Sequence, residues 1–402
     1  MAKKTDAMKK TVKVGCRENT KDGSMVSQLG FGCMRFPNGQ DAVNRLIARA
    51  VELGINYFDT AYLYAGSEKK LGLALVECGA RDAVSIATKL PQAQCRKRED
   101  FDRFFETSLE RLQTDRVEYY LIHNLTSFAQ LERLQLLGIF EWAAERKAEG
   151  SIGRFGFSFH GTYPEFLKIL DAVPWDFCQI QYNYVNENYQ AGRAGLHEAA
   201  KRGIPVIIME PLLCGKLADK IPPAAAKVFK RAHAQSPAAW GLRWLWDQPE
   251  VTVVLSGMNS IEQLEETARI AADAAPGCLI KADRAVIEQA KGVFQESFRI
   301  PCTGCNYCMP CPQGISIPAL FAAYNQSYSF GLFNGIVSYL TSAGATDEEF
   351  RFASSCLACG ACEKKCPQSI RISEELVNVR KRLQPPGMVA GVKAYHRLSR
   401  KG

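Results

Sequence analysis

"LGFGCMR", residues 29–35, is the first apolar strand pattern in this chain, and its glycines decide between two α/β folds. A doubly wound sheet advertises its first turn with G-x-G-x-x-G, and this stretch does not have that pattern. Seven further short apolar runs follow: "INYFDTA" (55–61), "VSIATKL" (84–90), "VEYYLIHN" (117–124), "GRFGFSFH" (153–160), "DFCQIQYN" (176–183), "PVIIMEPL" (205–212) and "VTVVLSG" (251–257). Amphipathic segments such as "DAVNRLIARAVELG" lie between them. Eight strand–helix units in about 260 residues is the size of a (β/α)8 TIM barrel.

In such a barrel the C-terminal ends of all eight strands share one mouth. Asp59, Lys89 and His123 close the second, third and fourth runs, and Tyr64 follows Asp59 in the next loop. Taken singly, each has an ordinary reading as helix cap, loop residue or core histidine. Together at strand ends they form a proton-donating set. A lysine ammonium beside a phenol favours the phenolate, and a carboxylate favours the ammonium. A histidine can hydrogen-bond a carbonyl oxygen and orient it.

A second pattern occupies the C-terminal quarter. "CTGCNYCMPCP" (302–312) and "CLACGACEKKCP" (356–367) each hold four cysteines and end in Cys-Pro. The spacing Cys356-x2-Cys359-x2-Cys362-x3-Cys366-Pro is that of bacterial ferredoxins, where the fourth cysteine reaches the other cluster. Cys302, Cys305, Cys308 and Cys311 repeat it one residue shorter. The expected ligand sets are therefore Cys302, Cys305, Cys308 and Cys366 for one [4Fe–4S] cluster, and Cys356, Cys359, Cys362 and Cys311 for the other. Two zinc sites are the alternative, but these favour paired C-x2-C units. The segment between the motifs reads as helical. Its aromatics Phe321, Tyr324, Tyr328, Phe330, Phe333 and Tyr339 are expected to pack around the clusters and exclude water.

Composition narrows the function classes. The chain has 402 residues, 47% hydrophobic and 23% charged, as globular proteins do. Its +8 formal charge would be roughly halved by two clusters on eight thiolates. The basic residues are dispersed, which argues against nucleic-acid binding. No run approaches the roughly 18 apolar residues of a membrane span. The basic N-terminus "MAKKTDAMKKTVK" has no apolar segment behind it, so no signal peptide is expected. Fifteen cysteines in a chain of this kind point to metal or redox chemistry in the cytoplasm rather than to disulfides. The seven outside the motifs read mostly as small buried hydrophobes; Cys33, Cys178 and Cys214 fall at strand ends and are candidates to line the mouth.

At this point the sequence resembles the aldo-keto reductases. "GINYFDTAYLYAGSE" is similar to that family's Asp-Thr-Ala…Tyr signature, and "IATKL" and "YYLIHN" to its lysine and histidine segments. The whole chain resembles the branch of the family with a C-terminal double [4Fe–4S] ferredoxin-type domain. The resemblance implies an aldo-keto reductase barrel over residues 1–296, a small α-helical ferredoxin-like domain over 297–382 and a tail over 383–402. It also implies Tyr64 as general acid, tuned by Lys89 and Asp59, with His123 orienting a small-molecule carbonyl. For the nicotinamide it implies Ser158 and Gln179 at the carboxamide and Gly257 and Ser260 at the phosphates. Several usual contacts are replaced: Phe159 for an asparagine, Met209 for a stacking tyrosine, and Gly257 and Gln263 where Lys and Arg are frequent. A 2′-phosphate loses its charged partners there, so NAD(H) or NADP(H) would bind with at most a weak NADPH preference.

A hydride carries two electrons and a cubane passes one. Three readings stay open. The clusters deliver electrons from an external ferredoxin or another one-electron donor to the mouth, directly or through FMN, which barrels bind without a short signature. Alternatively, NADH reduces the carbonyl and the clusters are structural or redox-sensing. Thirdly, the chain is a non-catalytic redox-sensing regulatory subunit.

Overall fold

The computed structural model describes residues 12–219, 221–232, 235–345 and 350–399; residues 1–11 of the basic N-terminus noted above lie outside them. The chain divides into two compact units: Met1–Leu212 with Ala238–Leu279, and Leu213–Pro237 with Ile280–Gly402.

The first unit is built on ten strands. β1 (Cys16–Glu18) and β2 (Met25–Ser27) form an antiparallel hairpin. β3 (Leu29–Gly32), β4 (Tyr57–Asp59), β5 (Ser85–Leu90), β6 (Val117–Leu125), β7 (Ile152–Phe159), β8 (Phe177–Gln181), β9 (Val206–Met209) and β10 (Val251–Ser256) close into a parallel barrel, with β10 pairing β3. Each of the eight apolar runs supplies one strand. Six of the strands are shorter than their runs, because the run ends turn into loops; residues 33–35, for example, form a 3₁₀ turn.

Side chains alternate between the interior and the surrounding helices, as a pleated strand requires. Tyr57, Ala87, Tyr119, Leu121, Phe177, Ile207, Val253 and Leu255 meet inside the barrel. Tyr119 stacks edge-on to both Tyr57 and Phe177, with ring centroids 4.9 and 5.0 Å away. These bulky rings fill the barrel interior. β3 makes room for them by presenting glycine: a Cβ on Gly30 would sit 2.7 Å from Leu255 and 2.8 Å from Val253. The outward residues Tyr120 and Phe157 pack against Trp142 and Phe105, and against Phe166 and Trp175, respectively. Cys178 lies between inward Phe177 and Gln179, so it faces outward and does not line the mouth. Of the seven cysteines outside the motifs, only Cys33, Cys95 and Cys178 are buried, and Cys214 is exposed and belongs to the second unit.

The second unit is helical, with helices Pro223–Ala232, Lys281–Ser297, Ile317–Ser329, Leu332–Ser342, Ile372–Leu383 and Met388–Ser399. Its core gathers Ile315, Leu320, Phe321, Tyr339, Phe352, Ile370, Leu376 and Val379. The side chain of Asn325 clamps the entry to the first cysteine motif: Ile300 N donates to Oδ1 (2.9 Å), and Nδ2 donates to Ile300 O (2.7 Å). The aromatics divide. Phe321 and Tyr339 are buried, whereas Phe330 and Phe333 are exposed, at 38% and 78%. Within the tail, a helix runs over Met388–Ser399.

The unit contains an internal repeat. "CPQGISI" (311–317) and "CPQSIRI" (366–372) each lead into a helix. Gly314 N donates to Cys311 O and Ser369 N to Cys366 O, and both turn residues have positive φ. The cysteine loops match as well. φ is positive at Gly304 and Asn306 in the first and at Ala358 and Gly360 in the second, the same two positions of each motif.

Candidate functional site

Asp59 ends β4 and Lys89 lies one residue before the end of β5; both are nearly inaccessible, at 4% and 1% exposed. The Lys89 ammonium donates to Asp59 Oδ1 and to Thr60 O, each at 2.6 Å. The other carboxylate oxygen, Oδ2, accepts from Gln179 Nε2 on β8 at 2.8 Å. Asp59 therefore ties together strands on opposite sides of the barrel. A buried ion pair of this kind is a costly way to gain stability, so its place at a strand end points to use.

Tyr64 sits above this pair. Its ring centroid is 5.1 Å from Lys89 Nζ and 5.8 Å from the His123 ring, which it meets edge-on. The loop that carries it is pinned at both sides. Thr60 Oγ1 and Ser67 Oγ are 2.7 Å apart, Ser67 Oγ donates to Cys33 O, and Tyr62 packs on Phe104. Arg111 covers the other face of Tyr62 and pairs with the buried Glu68. The four residues read from the sequence as a proton-donating set thus converge within one unit.

Burial pushes the His123 imidazole well below its ordinary range, followed by the Lys89 charge and by His160. A neutral imidazole is the form that donates a hydrogen bond without competing for the proton. Cys33 also borders this group. Burial drives its thiol well up, the Asp59 charge adds to this, and Lys89 opposes it.

The expected nicotinamide contacts are spread along the same rim. Ser158 Oγ accepts from the backbone of Asn124 (2.8 Å), a left-handed residue (φ 60°) immediately after His123. Gln179 is engaged with Asp59. Gly257 lies beside Gly32 across the β10–β3 seam. Ser260 caps the helix Ile261–Ala272, its Oγ accepting from Gln263 N. Ser158, Gln179 and Ser260 thus each have a hydrogen-bond partner within the chain, and Gly257 offers only backbone.

Two mouth residues were missed by the sequence reading. His160 follows Ser158 by two residues and Gln181 follows Gln179 by two, so period-2 alternation aims both inward. That alternation was the available signal. Phe159, the outward residue between Ser158 and His160, packs on Phe166 at 5.1 Å.

In the second unit the eight motif cysteines surround two cavities. One is lined by Cys302, Cys305, Cys308 and Cys366, the other by Cys311, Cys356, Cys359 and Cys362. Each set takes three thiols from one motif and the fourth from the other. Among the described residues, no three His, Cys, Asp or Glu side chains converge on a point as one metal ion requires. The thiols ring a space instead. That arrangement fits a polynuclear cluster better than zinc, whose thiolates lie about 2.3 Å from a single centre. The matched left-handed residues curl the loops around the cavities, and Ala358 N donates to Cys356 Sγ at 3.4 Å. Ile317, Phe321 and Ile370 wall the first cavity, and Ile317 and Leu376 the second. Cys308 is pushed up to about 12, by burial first and then by Cys302, Cys305 and Cys366. The donors and the cavities fit two [4Fe–4S] clusters.

Comparisons agree with both halves. The 4Fe-4S dicluster domain family matches residues 301–370. L-galactose dehydrogenase of Arabidopsis thaliana is 29% identical over 63% of this chain and 87% of its own length. An uncharacterised oxidoreductase of Bacillus subtilis is 26% identical over 61% and 87%. In fold, the chain is similar to an aldo-keto reductase from Bacillus halodurans in its holo form (TM-score 0.58, 24% identity, 69% of this chain and 96% of that one). It is also similar to an aldo-keto reductase from Klebsiella pneumoniae in complex with NADPH (TM-score 0.55, 22% identity, 69% and 94%). The Aldo/keto reductase family matches residues 28–274, well over half of the chain. The protein belongs to the aldo/keto reductase family of oxidoreductases and carries a 4Fe-4S dicluster domain C-terminal to its barrel.

Proposed function

We propose that this oxidoreductase reduces a carbonyl or related small molecule at the barrel mouth, with Tyr64 as proton donor and electrons delivered through two [4Fe–4S] clusters. The observation that carries the reading is the convergence of Tyr64, His123 and the buried Lys89–Asp59 pair in a chain that also holds two four-thiol cavities. Bound in those cavities, the clusters supply one-electron transfer. Cys302, Cys305, Cys308 and Cys366 hold one, and Cys311, Cys356, Cys359 and Cys362 the other.

The chain's own groups do the rest. His123, neutral, donates a hydrogen bond to the carbonyl oxygen and fixes its direction. The Tyr64 phenol gives its proton to that oxygen as negative charge develops there; two electrons delivered singly carry no hydrogen, so a second proton, from water at the mouth, goes to the carbonyl carbon to complete the alcohol. Lys89 stabilises the phenolate left behind, and Asp59 holds Lys89 in place through the 2.6 Å contact. The donor we propose is an external ferredoxin or another one-electron carrier, met in the cytoplasm. Among the described residues no helix is long and apolar enough to cross a membrane.

The second reading is an NADH-dependent reductase whose clusters are structural or sense redox state. The Ser260-capped helix start and Gly257 favour it, since backbone donors there suit a pyrophosphate. Gly257 and Gln263 in place of cations, and Met209 in place of an aromatic stack, weigh against tight binding and against NADPH.

The test is anaerobic purification with iron and sulfide quantitation, then titration with NADH, NADPH and reduced ferredoxin while the cluster absorbance is followed. Bleaching by reduced ferredoxin with no response to either nicotinamide is the expected result. Bleaching by NADH supports the second reading.

A further inference from the structure

Two polar side chains at the barrel mouth are buried with hydrogen-bonding atoms unanswered. Gln181, at the end of β8, is 1% exposed, and among the described residues neither its amide nitrogen nor its amide oxygen has a partner. His160, one residue past β7, is 7% exposed; its side chain bonds Gln190, while Nδ1 has no partner.

Their direction is fixed by the strands. Gln179 points inward, since it bonds Asp59 across the barrel, so Gln181 two residues on points inward too. Its register partner on β9 is Met209, which packs against the inner core. Ser158 pairs with Gln179 and Phe159 with Ile180, so one further step sets His160 beside Gln181. Phe159 packs outward, leaving His160 inward, close enough to His123 to act on its charge state.

The unanswered atoms define a chemistry. The Gln181 amide offers a donor nitrogen and an acceptor oxygen, and His160 Nδ1 adds a third position. The ammonium that acts on His123, Lys89, is already bound by Asp59 and Thr60. The site therefore suits an uncharged group that both gives and accepts a hydrogen bond, as a hydroxyl does. Buried polar groups left unpaired reject a ligand that cannot pair them. Because His160 neighbours His123, the hydroxyl lies close to the carbonyl that His123 orients.

We propose that His160 and Gln181 form a subsite for a substrate hydroxyl one or two carbons from the reducible carbonyl, making hydroxy-carbonyl compounds the substrate class. This rests on the reading of Tyr64 and His123 as the carbonyl-binding pair.

The experiment compares 2-hydroxyacetophenone with acetophenone as substrates of the full-length anaerobic protein, using reduced methyl viologen and, separately, NADH. The wild type is expected to favour the hydroxyketone by about 100-fold or more in kcat/KM. In Gln181→Leu and in His160→Phe that ratio falls at least tenfold, with thermal unfolding as the check on folding. Gln181→Glu, which keeps an acceptor at the same reach, retains part of the ratio. Equal kcat/KM for the two ketones in the wild type overturns the subsite, as does an unchanged ratio in folded Gln181→Leu. An increase confined to the KM for NADH also overturns it, because the amide then serves the cofactor. Tyr64→Phe separates the two ideas: it slows both ketones alike, whereas unaltered rates overturn the catalytic reading and leave the ratio standing. If the wild type reduces neither ketone, their binding is compared by saturation-transfer NMR, where equal affinities overturn the subsite.

Discussion

Cys366, which closes the second cysteine motif, lines the same cavity as Cys302, which opens the first. The motifs are therefore interlocked, and each four-thiol cavity needs both. Cys366→Ala and Cys302→Ala are expected to remove the same cluster, and Cys311→Ala and Cys359→Ala the other. Electron paramagnetic resonance of the reduced variants checks this. Loss of different signals in Cys302→Ala and Cys366→Ala contradicts the pairing.

The Lys89–Asp59 pair makes a prediction about stability. Removing one partner leaves a charge buried without compensation, which costs about 3–5 kcal/mol. Lys89→Met is expected to lose that much in urea unfolding. The double variant Asp59→Asn, Lys89→Met recovers a large part, because no charge is then stranded. A single variant as stable as the wild type would mean that water reaches Asp59.

Tyr64→Phe keeps the ring that meets His123 and Lys89 and removes only the hydroxyl. Loss of a positioned general acid lowers turnover by about 10²–10⁴-fold. Steady-state assay under saturating reductant is the check, with both cluster signals unchanged in the variant.

Acid should unfold the protein partly through His160. Burial lowers its imidazole from 6.5 to about 4. Between those values the unfolded chain binds a proton that the native state refuses, so stability falls as pH drops from about 6.5 to about 4 and this contribution then levels off. The full effect is up to about 3 kcal/mol. Thermal unfolding across this window shows it, and His160→Phe flattens the slope.

Much of this was legible in the sequence, for identifiable reasons. Asp59 and Lys89 stand out because they interrupt apolar strands whose neighbours are uniformly buried. The cysteine sets follow from spacing alone, since the motif itself carries the cross-ligation rule. What stayed hidden depends on register and long-range packing. Ser158 reads as a cofactor contact, and its bracing of the backbone after His123 is visible only in the fold. Gln179 reads likewise, and its bond to Asp59, 120 residues away along the chain and on the opposite side of the barrel, leaves no trace in the local sequence. His160 and Gln181 lack a motif, and only the inward direction of their strand neighbours reveals them. The assignment of Leu213–Pro237 to the second unit has no local signature, because it rests on contacts with residues far along the chain.

The most direct measurement of the central claim is cluster reoxidation. The anaerobic protein is reduced electrochemically, freed of reductant, and mixed with pyridine-4-carboxaldehyde or 2-hydroxyacetophenone while the cluster band is followed by stopped flow. The account predicts that the band recovers as alcohol forms in wild type, and that Tyr64→Phe slows recovery by about 10²-fold or more. Recovery at the same rate in Tyr64→Phe, or clusters that stay reduced with both carbonyls, would contradict it.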